Sequence, residues 1–127
     1  MGQEIINNVS EFKLLYGRLY SFLRQEWSLD RVMQLKQILQ SYIKQEFNNG
    51  EAGKAMDQLM LEMRTAIIAI EEIGLKQPTV CAIMLYNPML KKCAEMKSVR
   101  KMFGEDVATI LDGLLTVSKF SDKQSAV

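Results

Sequence analysis

The chain contains no histidine. That removes the side chain best suited to proton transfer near neutral pH, which is also the commonest metal ligand. A serine nucleophile would lack its usual imidazole base. Cysteine is almost as scarce. Cys81 and Cys93 are too few for a disulfide scaffold, form no Cys-x-x-Cys pair, and by themselves cannot close a zinc site. Both fall in apolar helical context and read as buried free thiols of a reducing compartment. Neither charge dominates: 16 Lys+Arg stand against 15 Asp+Glu, a net charge of +1. A general nucleic-acid binder would carry a marked basic excess, although a small basic pocket for one phosphate-bearing ligand remains compatible. Long apolar runs are missing too. The longest, residues 80–86, falls far short of a bilayer span, and Met1-Gly2-Gln3-Glu4 lacks the basic start of a secretory signal. The reading is a soluble, cytoplasmic protein with neither a membrane nor a nucleic-acid partner.

What is present is helix. With 127 residues, 48% of them hydrophobic and 24% charged, the chain suits one globular domain with a single core. Two prolines and seven glycines leave little punctuation. Apolar residues recur at three- and four-residue steps almost throughout, which predicts an all-α bundle of about six helices.

The first helix is expected to start after an N-cap at Ser10 and to carry Phe12, Leu15, Leu19, Phe22 and Leu23 inward as far as Trp27, with Leu14, Tyr16 and Tyr20 broadening the stripe. The second, capped by Ser28, covers about residues 29–47 with Val32, Leu35, Leu39, Tyr42, Ile43 and Phe47 on one face. Asn48-Asn49-Gly50 stops it. The third covers about residues 55–73, with Met56, Leu59, Met60, Met63, Ile67 and Ile70 in its stripe and Gly74 as its left-handed end. Pro78 opens the fourth in its first turn. Residues 79–86 are apolar on nearly every side, which predicts a central helix with neighbours all round. Asn87-Pro88 is expected to break it. A short helix over about residues 94–103 ends at Gly104. The last, from Glu105 to about Phe120, turns Val107, Ile110, Leu111, Leu114 and Val117 inward, and residues 121–127 form a frayed polar tail. The organisation is thus an N-terminal helix (1–27), a helical core (28–120) and a tail. The nine methionines read as core filling rather than as a groove for a partner helix.

Other motifs carry little chemistry. No glycine-rich phosphate loop runs into Lys-Ser or Lys-Thr. Glu71/Glu72 and Glu105/Asp106 are helical neighbours whose side chains diverge by about a hundred degrees, so neither pair converges on a substrate.

Two blocks within residues 54–120 are more informative. The first is Phe103-Gly104-Glu105-Asp106-Val107 followed by Ile110-Leu111-Asp112-Gly113-Leu114-Leu115-Thr116-Val117-Ser118-Lys119. The second is Glu72-Ile73-Gly74-Leu75 and, after a spacer, Ala82-Ile83-Met84-Leu85-Tyr86-Asn87. In order and spacing both resemble the N-terminal His-Asp (HD) hydrolase domain of the RelA/SpoT family, the enzymes that make and degrade the alarmone (p)ppGpp. The resemblance covers about half the chain and implies a truncated HD-type fold.

Family hydrolases hold a divalent metal, usually manganese, with a first His, the His-Asp pair and an Asp further downstream. The resemblance puts Glu62 where the first His stands and Tyr86-Asn87 where the His-Asp pair stands. Leu90-Lys91 replaces the Glu-Asp pair thought to act on water, and the downstream Asp falls beyond Val127. Lys54 is what remains of a basic guanine-contacting stretch. Tyr86 is a phenol with a reference pKa near ~10 and Asn87 a neutral amide, both poor substitutes for the family ligands. Lys91 brings a cation where a carboxylate is needed.

The resemblance therefore implies a degenerate hydrolase domain with no catalytic residue, no manganese or other cofactor, and a structural or regulatory role. Its partners would be a synthetase domain of the same parent protein, a GTP pyrophosphokinase, and a guanine nucleotide at Lys54. Asp112-Gly113 is expected to serve packing, with Gly113 at a close helix crossing and Asp112 hydrogen-bonded to a neighbouring helix start. Two other readings compete. One is a residual metal-dependent (p)ppGpp hydrolase built on Glu62. The other is a helical interaction module unrelated to nucleotides, whose homodimer or partner complex would bury the Met60/Met63 face.

Overall fold

The computed structural model describes residues 2–125, and the side-chain surroundings of residues 9–120. Six α-helices follow one another among the described residues: α1 (Gly2–Arg24), α2 (Leu29–Asn48), α3 (Ala52–Ile73), α4 (Gln77–Leu90), α5 (Met96–Phe103) and α6 (Glu105–Ser125). The all-α class matches the helical periodicity of the sequence. No helix among the described residues is long and apolar enough to cross a membrane.

Local chemistry sets most of the corners. The Ser28 hydroxyl accepts from the Arg31 backbone N–H and caps α2. Gly50 (φ +76°) and Gly74 (φ +69°) take the left-handed conformation that ends α2 and α3, and Pro78 lies in the first turn of α4, where its missing N–H costs nothing. Gly104 (φ +97°) makes the sharp corner between α5 and α6. Phe103, just before it, stacks on Trp27 with ring centroids 6.0 Å apart, which pins α5 under the α1–α2 turn.

The core is built around α4. Val80, Cys81, Ala82, Met84, Leu85 and Pro88 are all buried, against α2, α3 and α6. Leu19, Leu23, Val32, Leu35, Leu59, Met63, Val107 and Leu111 close over them. Each fully buried side chain of this size contributes roughly 1.5–3 kcal/mol relative to exposure. Met60 and Met63 are both buried in this core, so the face suggested for a partner complex is an interior one.

Several boundaries differ from the sequence reading. α1 runs through Ser10, because serine is only mildly unfavourable inside a helix and no stop signal precedes it. α4 continues through Asn87 and Pro88 to Leu90. A helix-interior proline costs about 3 kcal/mol, and here burial of its ring in the core offsets that cost. The last turn is closed by Lys91 N–H donating to the Asn87 carbonyl at 3.0 Å and Cys93 N–H to the Pro88 carbonyl at 2.8 Å. α5 starts at Met96 rather than near Ala94, and α6 reaches Ser125, so the supposed tail is helical over residues 121–125. Residues 126–127 lie outside the described residues.

Burial corrects the stripes as well. Phe47 is 71% exposed and Glu46 takes the inward position instead. Leu114 and Val117 are exposed, and Leu115 is the residue of this stretch that packs against the core. A Cβ at Gly113 would meet nothing within 4 Å, so no helix crosses there. Asp112 is exposed, and only its backbone carbonyl is engaged, accepting from the Thr116 hydroxyl.

Two glycine substitutions separate these roles. Gly113→Ala is expected to raise stability by about 0.5–1 kcal/mol, since alanine is the better helix former. Gly74→Ala is expected to lower it by about 1 kcal/mol, since alanine resists the left-handed conformation. Urea denaturation of the two variants checks both signs.

Candidate functional site

α3 and α4 form a hairpin that turns at residues 74–76. Glu62 stands eleven residues before the end of α3 and Asn87 ten residues after the start of α4. At about 1.5 Å per residue the two reach nearly equal heights above the turn. They meet: Asn87 Nδ2 donates to Glu62 Oε1. Continuity of α4 through Pro88 holds Asn87 in this position, and a helix broken at that point would have removed it.

Asn87 forms one wall of a cleft of about 260 Å³. The C-terminal part of α2 supplies Tyr42 and Glu46, the start of α3 supplies Lys54 and Gln58, and Lys91 follows α4. Glu62 lies behind Asn87, off the cleft wall. Gln45 Nε2 donates to the Lys91 carbonyl at 2.9 Å and so ties α2 to the end of α4. The Cys93 thiol sits 3.4 Å from Gln45 Oε1. Both cysteines are free; Cys81 is fully buried within α4, whereas Cys93 lies in the turn between α4 and α5 rather than in a helix and is only partly buried.

The electrostatics of this end are those of buried acids. Burial pushes Glu62 from the ordinary 4.5 up to about 8, against a smaller downward pull from the Asn87 hydrogen bond. At neutral pH its carboxyl is therefore mostly the neutral acid. Glu62 Oε2 and Glu46 Oε1 are buried and have no hydrogen-bond partner among the described residues. Burial, then the nearby Glu46 and Glu62 carboxyls, pushes the Tyr42 phenol up to about 12. Burial and Glu46 also raise the Cys93 thiol.

The positions carried over from the family resemblance thus divide into two groups. Glu62 and Asn87 touch, and Lys91 and Lys54 stand at the same cleft. Tyr86 is half-buried against the core and does not line the cleft, since adjacent helical residues point about a hundred degrees apart. Leu90 is 46% exposed and contributes nothing to it. Tyr42, Gln45 and Glu46 were missed by sequence reasoning. Glu46 was detectable in principle, because it continues the steps Leu35, Leu39, Tyr42 at helical spacing, but the apolar Phe47 beside it drew the assignment. A larger cavity of about 640 Å³ lies at the other end of the bundle, beside Trp27, Arg31 and Lys76. It holds none of the carried-over residues.

These donors do not suit manganese. The ion wants several hard oxygen or imidazole donors, whereas here a neutral acid faces the N–H₂ end of an amide. No three His, Cys, Asp or Glu side chains form a metal-holding group among the described residues. Around the cleft the ammonium groups of Lys54 and Lys91 stand beside the Glu46 and Glu51 carboxyls, two cations against two acids. The arrangement offers the buried Glu46 Oε1 as a hydrogen-bond acceptor in a cleft that Lys54, Lys91 and Glu51 also line. Comparison of the chain with protein-family models, with curated proteins and with solved structures finds no match.

The raised acid has a consequence for stability. The unfolded chain releases the Glu62 proton near pH 4.5 and the folded chain near pH 8. Between those values the folded state binds more protons, so rising pH favours unfolding. The contribution of Glu62 is complete below pH 4.5 and is lost as pH rises through about 8. Stability is expected to fall over this window by at most about 1.4 kcal/mol per pH unit. Glu62→Gln, isosteric with the neutral acid, should flatten the decline and be more stable than the parent at pH 8. Chemical denaturation at a series of pH values measures it. Asn87→Ala should cost about 1–3 kcal/mol at pH 6 by leaving Glu62 Oε1 unpaired.

Proposed function

We propose that this chain is a degenerate, catalytically inactive (p)ppGpp hydrolase domain of the HD type. In this reading it plays a structural or regulatory part beside a synthetase domain in the same cytoplasmic protein. The observation that carries the reading is the hydrogen bond from Asn87 to Glu62. The family resemblance gives these two positions to metal ligands. In this chain Asn87 Nδ2 donates to Glu62 Oε1, so an amide N–H stands where a cation would otherwise face that oxygen. Burial keeps the acid neutral, which removes the attraction for a metal.

Packing supports the same conclusion. The hairpin that brings the two positions together is intact, and the Phe103-Gly104 corner that opens the second motif block forms a stacked contact with Trp27. In this reading the scaffold persists while the chemistry of its donors is gone. A domain without chemistry still biases a neighbouring catalytic domain when its contacts differ between that domain's conformations. In this reading Lys54 and Lys91 are the contacts for the phosphates of a guanine nucleotide that docks without being cleaved.

Purified chain incubated with (p)ppGpp and manganese is expected to release no pyrophosphate above the buffer control, and elemental analysis to find far less than one manganese per chain. Sustained release that disappears in Asn87→Ala would instead establish a residual hydrolase. So would stoichiometric manganese that Glu62→Gln removes.

A further inference from the structure

α1 and α3 run side by side in the same direction, as their ion pairs require: Arg64 with Glu11, and Arg18 with Glu71 at 2.7 Å. Between these pairs, on the outer face, lie Leu14 at 68% exposure and Ile68 at 60%, and one turn beyond Arg64 lies Leu61 at 56%. Large apolar side chains this exposed, grouped on one two-helix face and framed by charge, mark an interaction surface more often than an ordinary one.

The charges themselves indicate what covers it. Glu11 (negative) and Arg64 (positive) occupy the two corners at one end of the face. Arg18 (positive) and Glu71 (negative) occupy the corners at the other end, with the signs exchanged between the helices. This is a checkerboard. A two-fold axis lying in the face, whether along the helices or across them, lays every acidic corner of one copy on a basic corner of the other. Leu14 and Ile68 then fall together at the centre. A closed two-fold contact needs one self-complementary patch, and this pattern has that property without any adjustment.

We infer that the α1/α3 face is the contact through which a second copy of this chain binds. The frame spans only about 10 Å along the helices, from seven residues of rise, and about 8–10 Å between the two axes. That places it at the small end of protein interfaces, so the dimer is a weak one that forms and dissociates with concentration. Its four ion-pair corners are exposed in the free chain and add selectivity more than affinity. The Met60/Met63 face takes no part, being interior.

Sedimentation equilibrium of the chain over the micromolar to millimolar range tests this directly. The expected result is a reversible monomer–dimer equilibrium. Leu14→Asp should weaken it by at least about tenfold in Kd, because a leucine at the centre of the patch loses its burial and a charge is buried in its place. Glu71→Arg should also weaken it, by setting like charges together. Exchanging all four corners in one chain (E11R, R64E, R18E and E71R) restores the checkerboard with inverted sign and should restore the dimer. Circular dichroism confirms that each variant keeps its helices. A chain that stays monomeric to millimolar concentration overturns the inference. So does a dimer indifferent to Leu14→Asp, or one that the four-fold exchange fails to restore.

Discussion

The burial of α4 is the constraint on which the rest depends. A helix apolar on nearly all sides has to be covered by its neighbours, and α2, α3 and α6 cover this one. Once covered, its register against α3 is fixed by the short turn at residues 74–76 and by the packing of Val80, Met84 and Leu85. The polar contacts at the far end follow from that register. Asn87 meets Glu62 because both are the same height above the turn, and Lys91 reaches the cleft because α4 is long enough to carry it there. The energetics run the same way. The apolar contacts supply the stability, and the polar end draws on it to keep two carboxyl groups out of water.

Much of this was legible in the sequence wherever one residue type has one local meaning. Ser28 before a helical stripe, Asn-Asn-Gly after one, Gly74 at a left-handed end and Pro78 in a first turn each state a boundary on their own. Legibility failed where tertiary packing outweighs a local rule. Pro88 reads as a break, and burial of its ring overrules it. Ser10 reads as a cap, yet nothing ahead of it stops the helix. Apolar spacing alone also cannot reveal which neighbour covers a stripe. Leu114 and Val117 keep the period of α6, yet Leu115 is the one that meets the core.

The cleft shows the same division. Spacing brought Glu62, Asn87, Lys54 and Lys91 to one end of the molecule, because a helical hairpin converts sequence distance from its turn into height. Tyr86 was included as a motif neighbour, and helical geometry turns it elsewhere. Glu46 went unread because an inward carboxylate breaks the rule that inward means apolar. Its position in the period of α2 was sound, and its chemistry misled.

The stacking of Trp27 on Phe103 reaches further than its own corner. Trp27 is the chain's one indole, lies 92% out of solvent and has the Arg31 guanidinium 5.2 Å above its ring. It thus sits at the junction of the α1–α2 turn and α5, beside the larger cavity. Its fluorescence emission is consequently an intrinsic optical gauge of that junction. A blue-shifted spectrum signals a closed corner, and a shift to the red signals α5 parting from the bundle, with no label attached.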